Sequence, residues 1–181
     1  MKFRILHYAT LDSTNNCAKE LASQGACQGT IVTADYQTKG RGRFKRKWVS
    51  PRGKDLLFSI IVRPKNLKAG SASILTQVVA HSVQEVLRKN LKVEAKIKKP
   101  NDVLVENRKI CGILVESSTR LGMIEYMVVG VGLNVNSRKS QLVRGATSIF
   151  EILGKKTHLI KLLEAISGVF SSRLSDLGWA L

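Results

Sequence analysis

Between residues 71 and 89, Ile74, Leu75, Val78, Val79, Val83, Val86 and Leu87 recur at helical spacing and draw one apolar stripe along a helix. Such a helix must bury its stripe, and the chain that follows offers strands to bury it against. Residues 93–97, 103–105, 110–116 and 124–131 are short apolar runs parted by Pro100-Asn101-Asp102, Glu106-Asn107-Arg108 and other turn residues. Upstream, residues 3–9, 30–34 and 56–62 read as strands, and Asp12 or Ser13 caps a helix that runs to Gln24 and stops at Gly25. Residues 147–153 and 159–174 return to helical spacing. Hairpin-like strands flanked by helices, without a repeating strand–helix alternation, predict an α+β fold with a mixed, mainly antiparallel sheet.

With 181 residues and 44% hydrophobic content, the chain suits one domain with a real core. No apolar run approaches the roughly 18 to 20 residues that cross a bilayer, and the first residues lack a signal-peptide core, so a cytoplasmic protein is expected. Cys17, Cys27 and Cys111 are odd in number and scattered, which predicts small reduced core residues rather than a disulfide framework or a zinc site. His7, His81 and His158 form no metal-binding pair, so any metal should arrive with a ligand.

The formal net charge is +17, a field that favours nucleic acid, nucleotides or acidic proteins as partners. Much of it is local: Lys39, Arg41, Arg43, Lys45, Arg46, Lys47, Arg52 and Lys54 crowd one stretch threaded with Gly40, Gly42 and Gly53. Glycines let backbone approach a ligand closely and take conformations that other residues resist, and arginines present planar forks to phosphate or carboxylate. The stretch therefore reads as a phosphate-handling loop, a nucleic-acid patch or a solvated basic surface. Three further segments bear on the choice. Asn101 and Asp102 follow a proline that fixes their turn, and they offer oxygens to Mg²⁺ or ribose or simply form an Asn-Asp turn. Lys109 opens an apolar strand, where a lysine ordinarily snorkels to solvent unless it faces the arginines. Residues 130–136, Gly-Val-Gly-Leu-Asn-Val-Asn, lack the dinucleotide fingerprint but leave room beside a strand, with Asn134 suited to an adenine edge or a phosphate; the alternative is a bulged strand.

Taken in order, Asp12-Ser13-Thr14-Asn15, Gln37, Gly40-Arg41-Gly42-Arg43, Trp48, Pro100-Asn101-Asp102, residues 109–116 and residues 130–136 resemble the biotin protein ligase family over nearly the whole chain. The resemblance implies a class II aminoacyl-tRNA-synthetase-like catalytic domain that joins biotin and ATP into biotinyl-5′-AMP and passes the biotinyl group to a lysine. By position it places Ser13, Thr14, Asn15 and Gln37 at the biotin pocket, with Arg41, Gly42, Arg43 and Gly112 beside them. Arg43, Arg46, Trp48, Asn101, Asp102, Lys109 and Asn134 fall on the ATP side. Lys109, Arg43 and Arg41 are the catalytic candidates, and Asn101 and Asp102 hold Mg²⁺ with ATP. The implied partner is the biotin carboxyl carrier protein of acetyl-CoA carboxylase; no specific DNA and no membrane are expected. A homodimer is compatible with the resemblance, although no residue here fixes one.

The chain departs from the family pattern at Lys99, where a tryptophan is usual, and at Phe44 and Lys45, where arginine and glycine are often found. Residues 1–181 are expected to form a single catalytic domain, without an N-terminal DNA-binding extension and without the C-terminal SH3-like domain of many relatives. Two rivals remain. A lipoyl or octanoyl ligase or transferase of the same fold would usually lack the Gly-Arg-Gly-Arg loop, and its thioester-forming members need a nucleophilic cysteine, whereas Cys111 reads as core. A nucleic-acid module would need a stacking platform, and Phe44 and Trp48 are the only aromatics in the basic loop.

Overall fold

A seven-stranded sheet, in the order β1-β2-β3-β7-β6-β5-β4, organises the computed structural model, which describes residues 3–64, 67 and 72–179. The chain enters through β1 (Arg4–Tyr8), crosses by α1 (Thr14–Ser23) and returns as β2 (Thr30–Ala34), parallel to β1. Every other pairing is antiparallel: β3 (Leu56–Val62) lies between β2 and β7 (Met123–Leu133), and β6 (Arg108–Arg120) joins β7 to β5 (Asp102–Val105) and β4 (Lys96–Lys98). The expected mixed, mainly antiparallel sheet with flanking helices is the observed one.

The apolar stripe forms α2 (Ala72–Leu91), and residue 71, where sequence would start this helix, lies outside the described residues. Leu75, Val79, Val83 and Leu87 are buried against one face of the sheet, together with Leu163, Ile166 and Phe170 of α4 (Leu159–Asp176). The short α3 (Ile149–Leu153) starts where Ser148 Oγ accepts from Glu151 N at 3.1 Å and stops at Gly154, whose φ of 69° is the left-handed conformation of a helix end. On the opposite face α1 covers a smaller cluster of Ala18, Ala22, Val32, Ile61, Tyr126 and Val128.

Two expectations need correction. Residues 93–95 are not strand; Val93 and Ala95 are buried but β4 begins at Lys96, because Val93 N is bonded to Leu87 O at 3.0 Å in the turn that leaves α2. Of the cysteines only Cys111 is core; Cys17 is half-buried and Cys27 exposed between α1 and β2. No helix among the described residues is long and apolar enough to cross a membrane.

Candidate functional site

Along β7, residues 127, 129, 131 and 133 face the α2 side and are buried apolar side chains. Residues 126 and 128 face α1, and beyond them on that same face come Gly130 and Gly132. Gly132 pairs with Gly112 of β6, and Gly130 with Leu114. Past the edge of α1 the sheet thus carries almost no side chains, and a cleft of about 300 Å³ opens over it.

One wall is the start of α1. Gln37 Oε1 accepts from Thr14 N at 2.7 Å and from the Thr14 hydroxyl at 3.1 Å, so its side chain satisfies a backbone donor that the helix leaves open. Ser59, on β3 between Leu57 and Ile61, lies 2.8 Å from the Thr14 hydroxyl and donates to Asn15 Oδ1 at 2.6 Å. Asn15 lies flat on β7: a Cβ at Gly130 would overlap its Oδ1, so only glycine admits it there. Its Nδ2 donates to Glu116 Oε2 at 2.8 Å. Thr14, Asn15, Gln37 and Ser59 thus form one hydrogen-bonded wall, and Ser13 lines the cleft beside it.

The basic loop forms the roof. Trp48 N donates to Gly40 O at 3.0 Å and Gly42 N to Arg46 O at 2.7 Å, which closes residues 40–48 into a small hairpin with a 3₁₀ turn at Arg43–Lys45. Gly40 is needed for close approach, since a Cβ would overlap Trp48 O; the left-handed residue is Phe44, with φ 54°, and not a glycine of the motif. Arg41, Gly42, Arg43, Arg46 and Trp48 all line the cleft. The Trp48 ring lies across Gly112 and Gly132, where a Cβ on Gly112 would meet Cζ3 at 2.9 Å. Its Nε1 is buried without a hydrogen-bond partner, a donor aimed at nothing in the protein.

The far wall comes from the turn before β5 and from β6. Asn101 clamps Ile113 through both its carbonyl (3.0 Å) and its Nδ2 (3.1 Å), and Asp102 pairs in register with Gly112. Lys109 does not snorkel: its Nζ is 2.7 Å from Asp102 Oδ1 and 5.6 Å from the Trp48 ring centroid, at the cleft. Its backbone is fixed between Gly145 O and Thr147 N.

Burial alone would raise the Glu116 carboxyl, but the Asn15 hydrogen bond and the charges of Arg41 and Lys19 outweigh it and hold Glu116 below the usual carboxylate range. Burial pushes the Cys111 thiol well above its usual value, so it is a neutral core group.

Asn134 stands apart. It does not line the cleft; its Nδ2 donates to Thr147 O at 2.9 Å and its backbone pairs with Ile110 and Ile149, so it fastens the segment that holds Lys109. Sequence reasoning also missed Ser59, Gly130, Gly132 and Glu116 as site residues. A lone serine inside the apolar run of β3 and a carboxylate ending the apolar run of β6 were the available signals.

The sequence profile of the biotin/lipoate A/B protein ligase family matches residues 7–134, which contain every one of these groups except the residue 145–147 anchor. The bifunctional ligase/repressor BirA of Bacillus subtilis is 32% identical over 176 residues, covering 95% of this chain and 54% of that protein. The chain thus spans about half the length of that relative. The biotin--[acetyl-CoA-carboxylase] ligase of Paracoccus denitrificans is 32% identical and covers 95% of this chain and 75% of its own. Among solved structures, the biotin protein ligase from Aquifex aeolicus in complex with biotin and ATP superposes with a TM-score of 0.83 at 31% identity, over 96% of this chain and 71% of that one. The profile match and the relatives together place this chain in the biotin/lipoate A/B protein ligase family.

Proposed function

We propose that this domain activates biotin with ATP as biotinyl-5′-AMP and transfers the biotinyl group to a lysine of a biotin carboxyl carrier protein. The observation that carries the reading is the single cleft that puts an uncharged hydrogen-bonding wall at one end and Lys109, Arg43 and Arg46 at the other. A ureido ring suits the first, with Ser13, Thr14, Asn15 and Gln37 offering donors and acceptors. A carboxylate meeting a triphosphate suits the second.

In the first step a carboxylate oxygen of biotin attacks the α-phosphorus of ATP and pyrophosphate leaves. Two anions must be brought together, so fixed cations supply most of what the protein contributes. Lys109 is poised for this, because its ammonium can pass from Asp102 to the developing charge without leaving the cleft floor. The unpartnered Trp48 Nε1 offers a further donor to a ligand oxygen. In the second step the carrier amine attacks the acyl carbon, loses its proton and releases AMP. The roof formed by residues 40–48 keeps water from the acyl-adenylate in the interval.

The donor set fits a Mg²⁺ that arrives with ATP. Among the described residues no cluster of three metal-binding side chains exists, while Asn101 and Asp102 offer side-chain oxygens at the cleft edge. Bound there, the ion would neutralise phosphate charge. The Cys111 thiol, wholly buried and shifted upward, weighs against a thioester-forming acyl transferase.

The test is incubation with biotin, ATP, Mg²⁺ and a biotin carboxyl carrier domain, followed by mass spectrometry of the carrier. Addition of one biotinyl group to its acceptor lysine is expected. An unmodified carrier, or modification with lipoate in place of biotin, would overturn the reading.

A further inference from the structure

The basic loop meets the sheet at two places, the Trp48 ring on Gly112 and Gly132 and the side chain of Arg41. The cleft lies beneath it, and a cavity of about 530 Å³ borders it on the other side, lined in part by Tyr36, Thr38 and Val49. The hydrogen bonds of Gly42 and Trp48 close residues 40–48 on themselves. Among the described residues, the only ion pair that ties this segment to the sheet is Arg41 Nη2 to Glu116 Oε2, at 2.7 Å. Glu116 lies on the cleft face of β6, in line with Gly112 and Leu114, and is paired with Val128 of β7. Its other contacts are Lys19 Nζ at 3.4 Å on α1 and Asn15 Nδ2 at 2.8 Å.

From this geometry we infer that Glu116 is the positioning residue that latches the basic loop over the cleft, gripping it through Arg41 and tying its position to the pocket wall through Asn15. Glu116 is half-buried on a rigid strand, so it holds still while the loop moves; Arg41 is the more exposed partner and the one that lets go. The oxygen that accepts from Arg41 also accepts from Asn15, so the loop is anchored on the same atom as the wall that would touch the biotin ring system. A charge-assisted pair of this kind is directional, and it selects one loop position out of those the hairpin would otherwise visit. The consequence for acyl-adenylate retention rests on the ligase reading proposed above; the latch itself does not.

Glu116→Gln keeps an acceptor for Asn15 and removes the charge that holds Arg41. In ligand-free protein, hydrogen exchange at the Gly42 and Trp48 amides should quicken roughly three- to tenfold in Glu116→Gln and in Arg41→Ala, with the amides of β3 and β7 unchanged. The double variant should exchange no faster than Arg41→Ala alone, because both changes release the same latch. Unchanged exchange in Glu116→Gln, or effects that multiply in the double variant, would overturn the inference. If the wild type forms biotinyl-5′-AMP, Glu116→Gln should shorten its bound lifetime by a similar factor, and an unchanged lifetime would also count against the latch. A wild type that forms no adenylate would refute the ligase reading while leaving the exchange result to decide the latch.

Discussion

The two faces of β7 use one strand for opposite purposes. On the α2 face Val129, Val131 and Leu133 are buried side chains that bind the sheet to the helices. On the other face Gly130 and Gly132 remove side chains, and the space they leave is filled by Asn15 and the Trp48 ring. A one-residue alternation therefore separates what folds the domain from what shapes its cleft. Substitutions on the helix face should cost stability and spare binding, and substitution of Gly132 on the cleft face should do the reverse.

The largest expected effect is on the cleft side. Lys109→Ala should slow biotinyl-5′-AMP formation by about a hundred- to a thousandfold, the size seen when one preorganised electrostatic contact to a transition state is removed. Biotin affinity should change little, as read by calorimetry, because the wall that would hold the ring is untouched. Equal, small losses in rate and affinity would remove Lys109 from the chemistry.

Next comes a matched pair one face apart. Leu133→Ala should lower unfolding free energy by about 2 to 5 kcal/mol in urea melts, with adenylation per folded molecule retained. Gly132→Ala should leave stability within about 1 kcal/mol, since the clash is with the Trp48 side chain and not with backbone. Its Cβ must push the Trp48 ring off the floor, so tryptophan emission should shift and ATP affinity should fall. A Gly132→Ala protein with unaltered emission and affinity would break the comparison.

Arg43→Ala should speed release of biotinyl-5′-AMP several-fold, on the scale of one charge-assisted contact, because Arg43 lines the cleft from the roof. A stopped-flow chase reads this directly, and an unchanged release rate would take Arg43 out of the site. The smallest effect concerns pH. The Glu116 carboxyl lies below its usual range in the fold, so its pairing stabilises the protein above the unfolded pKa of about 4.3 and is lost as pH falls through the lower folded value. The stability difference between wild type and Glu116→Gln should be under about 1 kcal/mol at pH 7 and vanish in acid, a trend visible in urea melts across pH. A difference that grew in acid would contradict the assignment.

Much of the fold was legible because periodicity reports burial. The stripe of α2, the β-branched run of β2 and the stops at Gly25 and Gly154 each follow from one local rule. Residues 93–95 were misread as strand because burial alone does not make strand: Val93 is buried by the turn that closes α2. In the site, charged residue types and Gly112 stand out in the sequence, and residues 130–136 show there only as a segment that leaves room beside a strand. Gly130 and Gly132 act by lacking side chains, which a sequence shows only as two permissive residues in a strand. Ser59 and Glu116 were passed over for a related reason, since their partners Asn15 and Arg41 are far away in the chain and the contacts exist only once β3, β6 and α1 converge. Asn134, read from sequence as suited to an adenine edge or a phosphate, instead spends its amide on Thr147 O, a partner that sequence separation hides.

The most direct measurement is isotope exchange between pyrophosphate and ATP with the wild-type protein, run with biotin, with lipoate and with neither. Exchange that requires biotin and Mg²⁺ is the result the cleft predicts, because it reports reversible adenylation without any carrier. Exchange supported by lipoate and not by biotin, or none with either, would contradict it.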